Sequence, residues 1–149
     1  EKKETFMQEL PALRYLTRRV TEHIHNRGYI QLIDGRRAYP NAAYAALNTL
    51  IQGTGGLICK AWVNEIASRF SERWGNPGPY WEPVWQYDDA MWAALGWIHD
   101  EVQLAVRPEI AEEAGEISRQ AVKAVGQDFG YRLPLDADYD IGPTWAHTH

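Results

Sequence analysis

The spacing of apolar and polar positions divides the chain into elements. From about Phe6 to Asn26, Leu13, Leu16, Val20 and Ile24 recur at helical spacing, which predicts an amphipathic helix. Pro11 sits near its start, where proline is tolerated, and Arg27-Gly28 ends it. Residues 29–39 read as a hairpin: Tyr29 to Ile33, then Asp34-Gly35, then Arg36 to Tyr39, with Pro40 ending the second strand. Asp-Gly predicts a type I′ turn, in which both central residues take positive φ. Residues 42–74 form a long helical segment with a broad apolar stripe of Leu47, Leu50, Ile51, Leu57, Ile58, Trp62, Ile66 and Phe70. Its weak point is Gly53-Thr54-Gly55-Gly56. Each glycine lowers helix propensity by about 1 kcal/mol relative to alanine. Such a run predicts a kink, or a place where another backbone comes close.

Residues 75–89 read as a loop containing Pro77, Pro79 and Pro83, unusually aromatic through Tyr80, Trp81, Trp85 and Tyr87. Two apolar runs follow, Trp92 to Ile98 and Val102 to Val106, rich in β-branched and aromatic residues. They predict a hairpin over 91–106. Residues 108–125 predict a second helix. Pro108 suits its first position, and Glu109, Glu112 and Glu113 suit its positive end. Its buried face is expected to hold Ile110, Ala114, Ile117, Ala121, Val122 and Val125. Gly126 and Gly130 punctuate the end. In the C-terminal segment, 131–149, Tyr131 to Leu135 reads as a last strand, and an acidic loop from Asp136 closes on Trp145. Helices and strands interleave without βαβ regularity, so the expected class is α+β. No internal repeat or low-complexity segment occurs.

Bulk composition adds bounds. At 149 residues the chain is one domain's worth, long enough to bury a core. Seven tryptophans are many, and they suit either a core or a partner surface. One cysteine, Cys59, excludes an internal disulfide and fits a reducing cytosol. No signal peptide or membrane-length apolar run is present, so a cytoplasmic location is expected. Because the first residue is Glu1, a processed piece of a longer chain is also expected. The net charge of −5 argues against gripping DNA alone, since such affinity comes mainly from Lys and Arg. Arg18-Arg19 and Arg36-Arg37 are the local basic clusters.

The chemistry concentrates at His99-Asp100-Glu101, between the two apolar runs. A tight turn there lifts two carboxylates out of the sheet together. Buried charges are costly unless paired, and adjacent carboxylates suit a hard divalent cation such as Mg²⁺. The plainer reading is a polar hairpin tip. Asn48 and Gln52 stand four residues apart, on one helical face. Their amides can donate to minor-groove acceptors that every base pair presents, or simply face solvent. Arg36 and Arg37 read equally as exposed hairpin charges or DNA-backbone contacts. Gln103 supports either the hairpin or a nucleic-acid contact. His23 with His25, and His147 with His149, lack a third and fourth zinc ligand at suitable spacing. No Gly-Xaa-Ser-Xaa-Gly elbow supports a serine hydrolase.

Four stretches occur together and in order: Ala45 to Gly53, Leu57 to Lys60, Trp97 to Gln103 and Gly142 to His147. In this the chain, from about Thr5 to His149, resembles the C-terminal part of a family A (DNA polymerase I-like) DNA polymerase. The Gly-Pro-Xaa-Trp ending points to the phage replicative branch. The resemblance implies a partial palm, residues 28–149, preceded by a helix joining fingers to palm, residues 1–27. It implies template-dependent nucleotidyl transfer assisted by two Mg²⁺ ions about 3.5–4 Å apart. Asp100 matches a main metal ligand, Glu101 the adjacent acid, and His99 a residue near the primer end. Asn48 and Gln52 match residues that test pair geometry at the primer–template end. Where cellular members often carry Arg, one turn before this Asn, the chain has Tyr44, which puts a cationic contact there in doubt.

The family's site also needs a second metal-binding Asp from an earlier palm strand and a nucleotide-gripping fingers helix. Neither is found in this sequence. The expectation is therefore one piece of a polymerase, inactive alone, with an N-terminal fragment as partner in a bacterial host cell. Primer–template DNA and dNTP are the expected ligands, with room for a processivity factor bound elsewhere. Two other readings stay open: a non-catalytic palm-derived interaction module, and a small nuclease recruiting Glu82, Asp88 or Asp89.

Overall fold

The structure is a computed structural model and describes residues 9–78 and 90–148. Helix α1, Pro11–Arg27, leads to strands β1, Ile30–Gln31, and β2, Arg37–Ala38. A 3-10 turn, Ala43–Ala45, opens helix α2, Ala46–Trp74. Strands β3, Trp92–Ile98, and β4, Glu101–Val106, are followed by a 3-10 turn, Pro108–Ile110, and helix α3, Ala111–Asp128. A final 3-10 turn spans Trp145–His147. The strand pairs β1–β2 and β3–β4 are antiparallel. The class is α+β. The chain divides into two compact units, residues 1–57 and 58–149, and the division falls within α2. No helix among the described residues is long and apolar enough to cross a membrane.

In the first unit, α1 closes on Gly28, whose φ of 75° lets its N–H reach the Ile24 carbonyl at 2.8 Å. Val20 is buried with Ile30 and Ala46, and Ile24, Leu32, Leu47 and Leu50 pack around them. Leu16 departs from the expected stripe: it is 41% exposed, whereas Leu13, also of that stripe, and Thr17 are half-buried. The expected type I′ turn is also corrected. The Leu32 N–H donates to the Arg36 carbonyl, and the Gly35 N–H to the Leu32 carbonyl, both at 2.9 Å. The loop is thus three residues long, with only Gly35 at positive φ, 86°. One glycine supplies one left-handed residue. Asp34 instead accepts the Arg36 N–H at 3.1 Å through its carboxylate.

The glycine run does not break α2, which continues through it. A Cβ added at Gly53 would come within 3.0 Å of the Leu32 side chain, whereas at Gly55 and Gly56 it would meet nothing within 4 Å. The close approach is therefore a side chain at Gly53, where a kink or a neighbouring backbone was the expectation. Ile51, assigned to the apolar stripe, is 54% exposed.

The second unit has the larger core. Trp62, Ile66 and Phe70 recur one turn apart on α2 and pack with Trp92 of β3 and Ala114, Ala121 and Val122 of α3. The Trp92 ring meets Phe70 edge-on, centroids 5.2 Å apart. Buried N–H groups are costly unless satisfied. The Trp92 indole donates to the Gly75 carbonyl at 3.0 Å, and the Trp62 indole to the Ser118 carbonyl at 2.7 Å.

Residues 131–135 are coil, which corrects the expected strand. Pro134 cannot donate to a ladder, and Leu133 faces solvent. Side chains hold this segment on α3 instead. Arg119 forks onto Asp136 at 2.9 and 3.1 Å, and this bond keeps the Asp136 carboxyl far below the usual range. Leu135 lies over Gly126 and the Tyr139 ring over Gly115, where a Cβ would clash. The aromatic loop residues Tyr80, Trp81, Trp85 and Tyr87, with Glu82, Asp88 and Asp89, lie outside the described residues.

Candidate functional site

Strands β3 and β4 run in register from Trp92↔Val106 to Ile98↔Glu101, with a bulge between Ala94 and Gly96. The last pair leaves His99 and Asp100 as a two-residue turn. His99 takes a φ of 56°, in the left-handed region that favours glycine, and among the described residues no other non-glycine does so. Such a conformation costs of order 1–3 kcal/mol and persists only where the surroundings enforce it. The Trp97 indole donates to the His99 carbonyl at 2.6 Å and fixes the turn from one side.

Asp100 is exposed and makes no hydrogen bond or ion pair among the described residues. Its charge still reaches α2: burial, and then the negative charge of Asp100, push the Cys59 thiol up from its ordinary value. Glu101 stands differently. Its Oε1 accepts the Trp145 indole N–H at 3.0 Å and a short hydrogen bond from Gln103 Nε2. The turn therefore presents one carboxylate outward and holds the next by its neighbours. Hard oxygen donors of this kind suit a divalent cation. No cluster of three His, Cys, Asp or Glu residues able to hold a metal occurs among the described residues.

Asn48 and Gln52 belong to the first unit. Both are exposed, one turn apart, on the same face of α2. Tyr44, just before that helix, is 91% exposed. Arg36 and Arg37 are exposed but engaged. Arg36 Nε lies 2.5 Å from Asp34 Oδ2, and the Arg37 guanidinium sits over the Tyr29 ring, 4.5 Å from its centroid. His23 meets Tyr29 edge-on, and His147 Nδ1 is 2.8 Å from Thr144 Oγ1.

The structure thus brings Asp100, Glu101 and Gln103 together, with His99 beside them. It adds Trp145, a contact that sequence reasoning missed. The signal available was the Gly-Pro-Xaa-Trp ending, which marked a lineage and carried no hint of a partner 44 residues away.

The family model for DNA polymerase family A matches residues 1–147. The DNA-directed DNA polymerases of Enterobacteria phage T3 and Escherichia phage T7 are each 30% identical over 164 residues, across 100% of this chain and 22% of theirs. The thermostable DNA polymerase I of Thermus aquaticus is 23% identical over 154 residues, across 95% of this chain and 16% of its own. The chain thus spans about a fifth of the length of the phage relatives. Among solved structures, the POL domain of Pol1 from M. smegmatis, in complex with DNA primer-template and dNTP, has the same fold. Its TM-score is 0.66 at 20% identity, over 91% of this chain and 22% of that one.

Proposed function

Because the chain belongs to DNA polymerase family A, we propose that it is the late, palm-bearing part of a DNA-directed DNA polymerase. On this reading residues 28–149 are palm and 1–27 the helix that joins it to the fingers. The observation that carries the proposal is Asp100: an exposed carboxylate without a partner among the described residues, at a strained two-residue turn.

The reaction joins a primer 3′ oxygen to the α-phosphorus of a dNTP; the bond to pyrophosphate breaks, and the hydroxyl proton is lost. Mg²⁺, when bound, lowers the cost of the charge that develops on the attacking and leaving oxygens. Asp100 gives that site a protein oxygen. Glu101 places a second negative charge beside it, and Gln103 keeps Glu101 in place. His99, whose carbonyl accepts the Trp97 indole N–H, is assigned to the primer end by the family resemblance. Asn48 and Gln52 donate amide N–H groups to the minor-groove acceptors of the terminal pairs, which tests geometry without reading sequence. Arg36 and Arg37 contact the DNA backbone once they leave Asp34 and Tyr29.

Two carboxylates do not complete a metal site. An N-terminal polymerase fragment supplies the other Asp and the nucleotide-gripping helix. The apolar side chains at the tip of β3 suit such a partner: Leu95, Trp97 and Ile98 are 56%, 39% and 41% exposed. The assembled enzyme works in the cytoplasm of a bacterial host, with any processivity factor elsewhere on its surface.

Mixing this chain with a separately produced N-terminal fragment tests the proposal. The pair should extend a primer, and Asp100→Ala should abolish extension while the two pieces still co-elute. A well-folded pair that does not extend, or full activity in Asp100→Ala, would sink it. The second outcome would leave a non-catalytic interaction module.

A further inference from the structure

The contact between Trp145 and Glu101 has no part in the reading above. The two residues are 44 positions apart, and the path between them is built with care. After α3 the chain runs as coil, without a ladder to hold it. It is fastened to α3 by Arg119 and Lys123 on Asp136, by Leu135 over Gly126, and by Tyr139 over Gly115. The Tyr139 hydroxyl also donates to Glu112 at 3.3 Å. A 3-10 turn then presents the indole, with Thr144 bonded to His147 across its base.

Burial does not explain the indole's position. Trp145 is 50% exposed, whereas Trp62 and Trp92 are 9% and 1% exposed. The specific feature is the N–H, aimed at Glu101 Oε1 at 3.0 Å. Gln103 donates to the same oxygen. Two donors on one oxygen restrict the rotation of a carboxylate.

We propose that Trp145 is a positioning residue: its indole N–H, reaching back from the C-terminal segment, fixes the Glu101 carboxylate beside Asp100. The inference rests on the polymerase reading. It gives the coil after α3 a purpose, since its fastenings to the helix determine where the indole stands. Trp145 acts through Glu101, whose carboxylate it holds.

Trp145→Phe keeps an aromatic ring and removes only the donor. It should be assayed in the assembled enzyme, chain plus N-terminal fragment, by single-nucleotide incorporation. The expected result is a fall in kcat of about tenfold with dNTP KM within about twofold, the loss of one charge-assisted hydrogen bond. The Mg²⁺ concentration for half-maximal rate should rise. In a Glu101→Gln background the same change should do little more, because the two residues act as one unit. A parental kcat in Trp145→Phe, or losses that multiply in the double variant, overturns the inference. Asp100→Ala run alongside separates the two claims. If it keeps full synthesis, the polymerase reading falls and this inference with it. If it is inactive while Trp145→Phe matches the parent, only the inference falls.

Discussion

The two hairpins of this chain reverse direction with opposite residues. In β1–β2 the positive φ falls on Gly35, and the tip carboxylate, Asp34, is neutralised by Arg36. In β3–β4 the positive φ falls on His99, and the tip carboxylate, Asp100, has no hydrogen bond or ion pair among the described residues. Every local choice in the first tip lowers the energy. In the second, the left-handed backbone at His99 raises it, and the exposed Asp100 carboxylate gains no local partner among the described residues. The second tip survives because its base is anchored: Trp92 is fully buried against Phe70, and Ala94, Val102, Leu104 and Val106 pack on the same core. A core can hold a strained, charged tip that isolated strands could not. Such local conflicts concentrate where function opposes stability.

The largest test of this contrast exchanges charge for a neutral amide at each tip. In the assembled enzyme, Asp100→Asn should lower primer extension on the order of a thousandfold, the scale of losing a metal ligand's charge. Asp34→Asn should leave extension within about twofold, because its ion pair lies at an exposed turn. Single-turnover rates measure both, and similar losses at the two tips would erase the distinction. The next test concerns backbone strain. His99→Gly should stabilise the chain by about 1 kcal/mol while extension falls, and Gly35→Ala should destabilise it by about 1 kcal/mol with extension retained. At Gly35 an added Cβ would lie 3.6 Å from the Gln31 side chain, so the cost there is the backbone's alone. Denaturant midpoints decide; a His99→Gly chain less stable than the parent would show that the turn is not strained.

These elements differ in how far sequence alone revealed them. The apolar runs around His99-Asp100-Glu101 were long and β-branched, so the hairpin and its tip were legible from period and composition. The Trp62, Ile66, Phe70 stripe was legible for the same reason. Leu16 and Ile51 were not, because periodicity assigns a face without saying what lies opposite it. The strand at 131–135 failed because side-chain fastening to α3 replaced a ladder, and Pro134 had already signalled that weakness. Asp34-Gly35 announced a turn but not its length, since a carboxylate that accepts the Arg36 N–H competes with a second left-handed residue. Trp145 on Glu101 was beyond reach: a contact 44 residues apart leaves no local pattern.

The smallest expected effect lies in the first tip and decides what Arg36 is for. Its pairing with Asp34 is exposed on the arginine side, 59% for that side chain. A double-mutant cycle of Arg36→Ala and Asp34→Asn should therefore give a coupling of about 0.5 kcal/mol or less, fading with added salt. That cycle alone cannot distinguish a solvated hairpin charge from a DNA contact. The sign of a single change can. If Arg36 reaches a backbone phosphate in the assembled enzyme, Asp34 competes for it. Asp34→Asn then raises primer–template affinity, and Arg36→Ala lowers the salt slope of binding by about 1. If Arg36 only closes the turn, neither variant changes the slope, and Asp34→Asn weakens the hairpin with no gain in binding. A tip built to neutralise itself would then have no share in the chemistry, and the contrast with Asp100 would be complete.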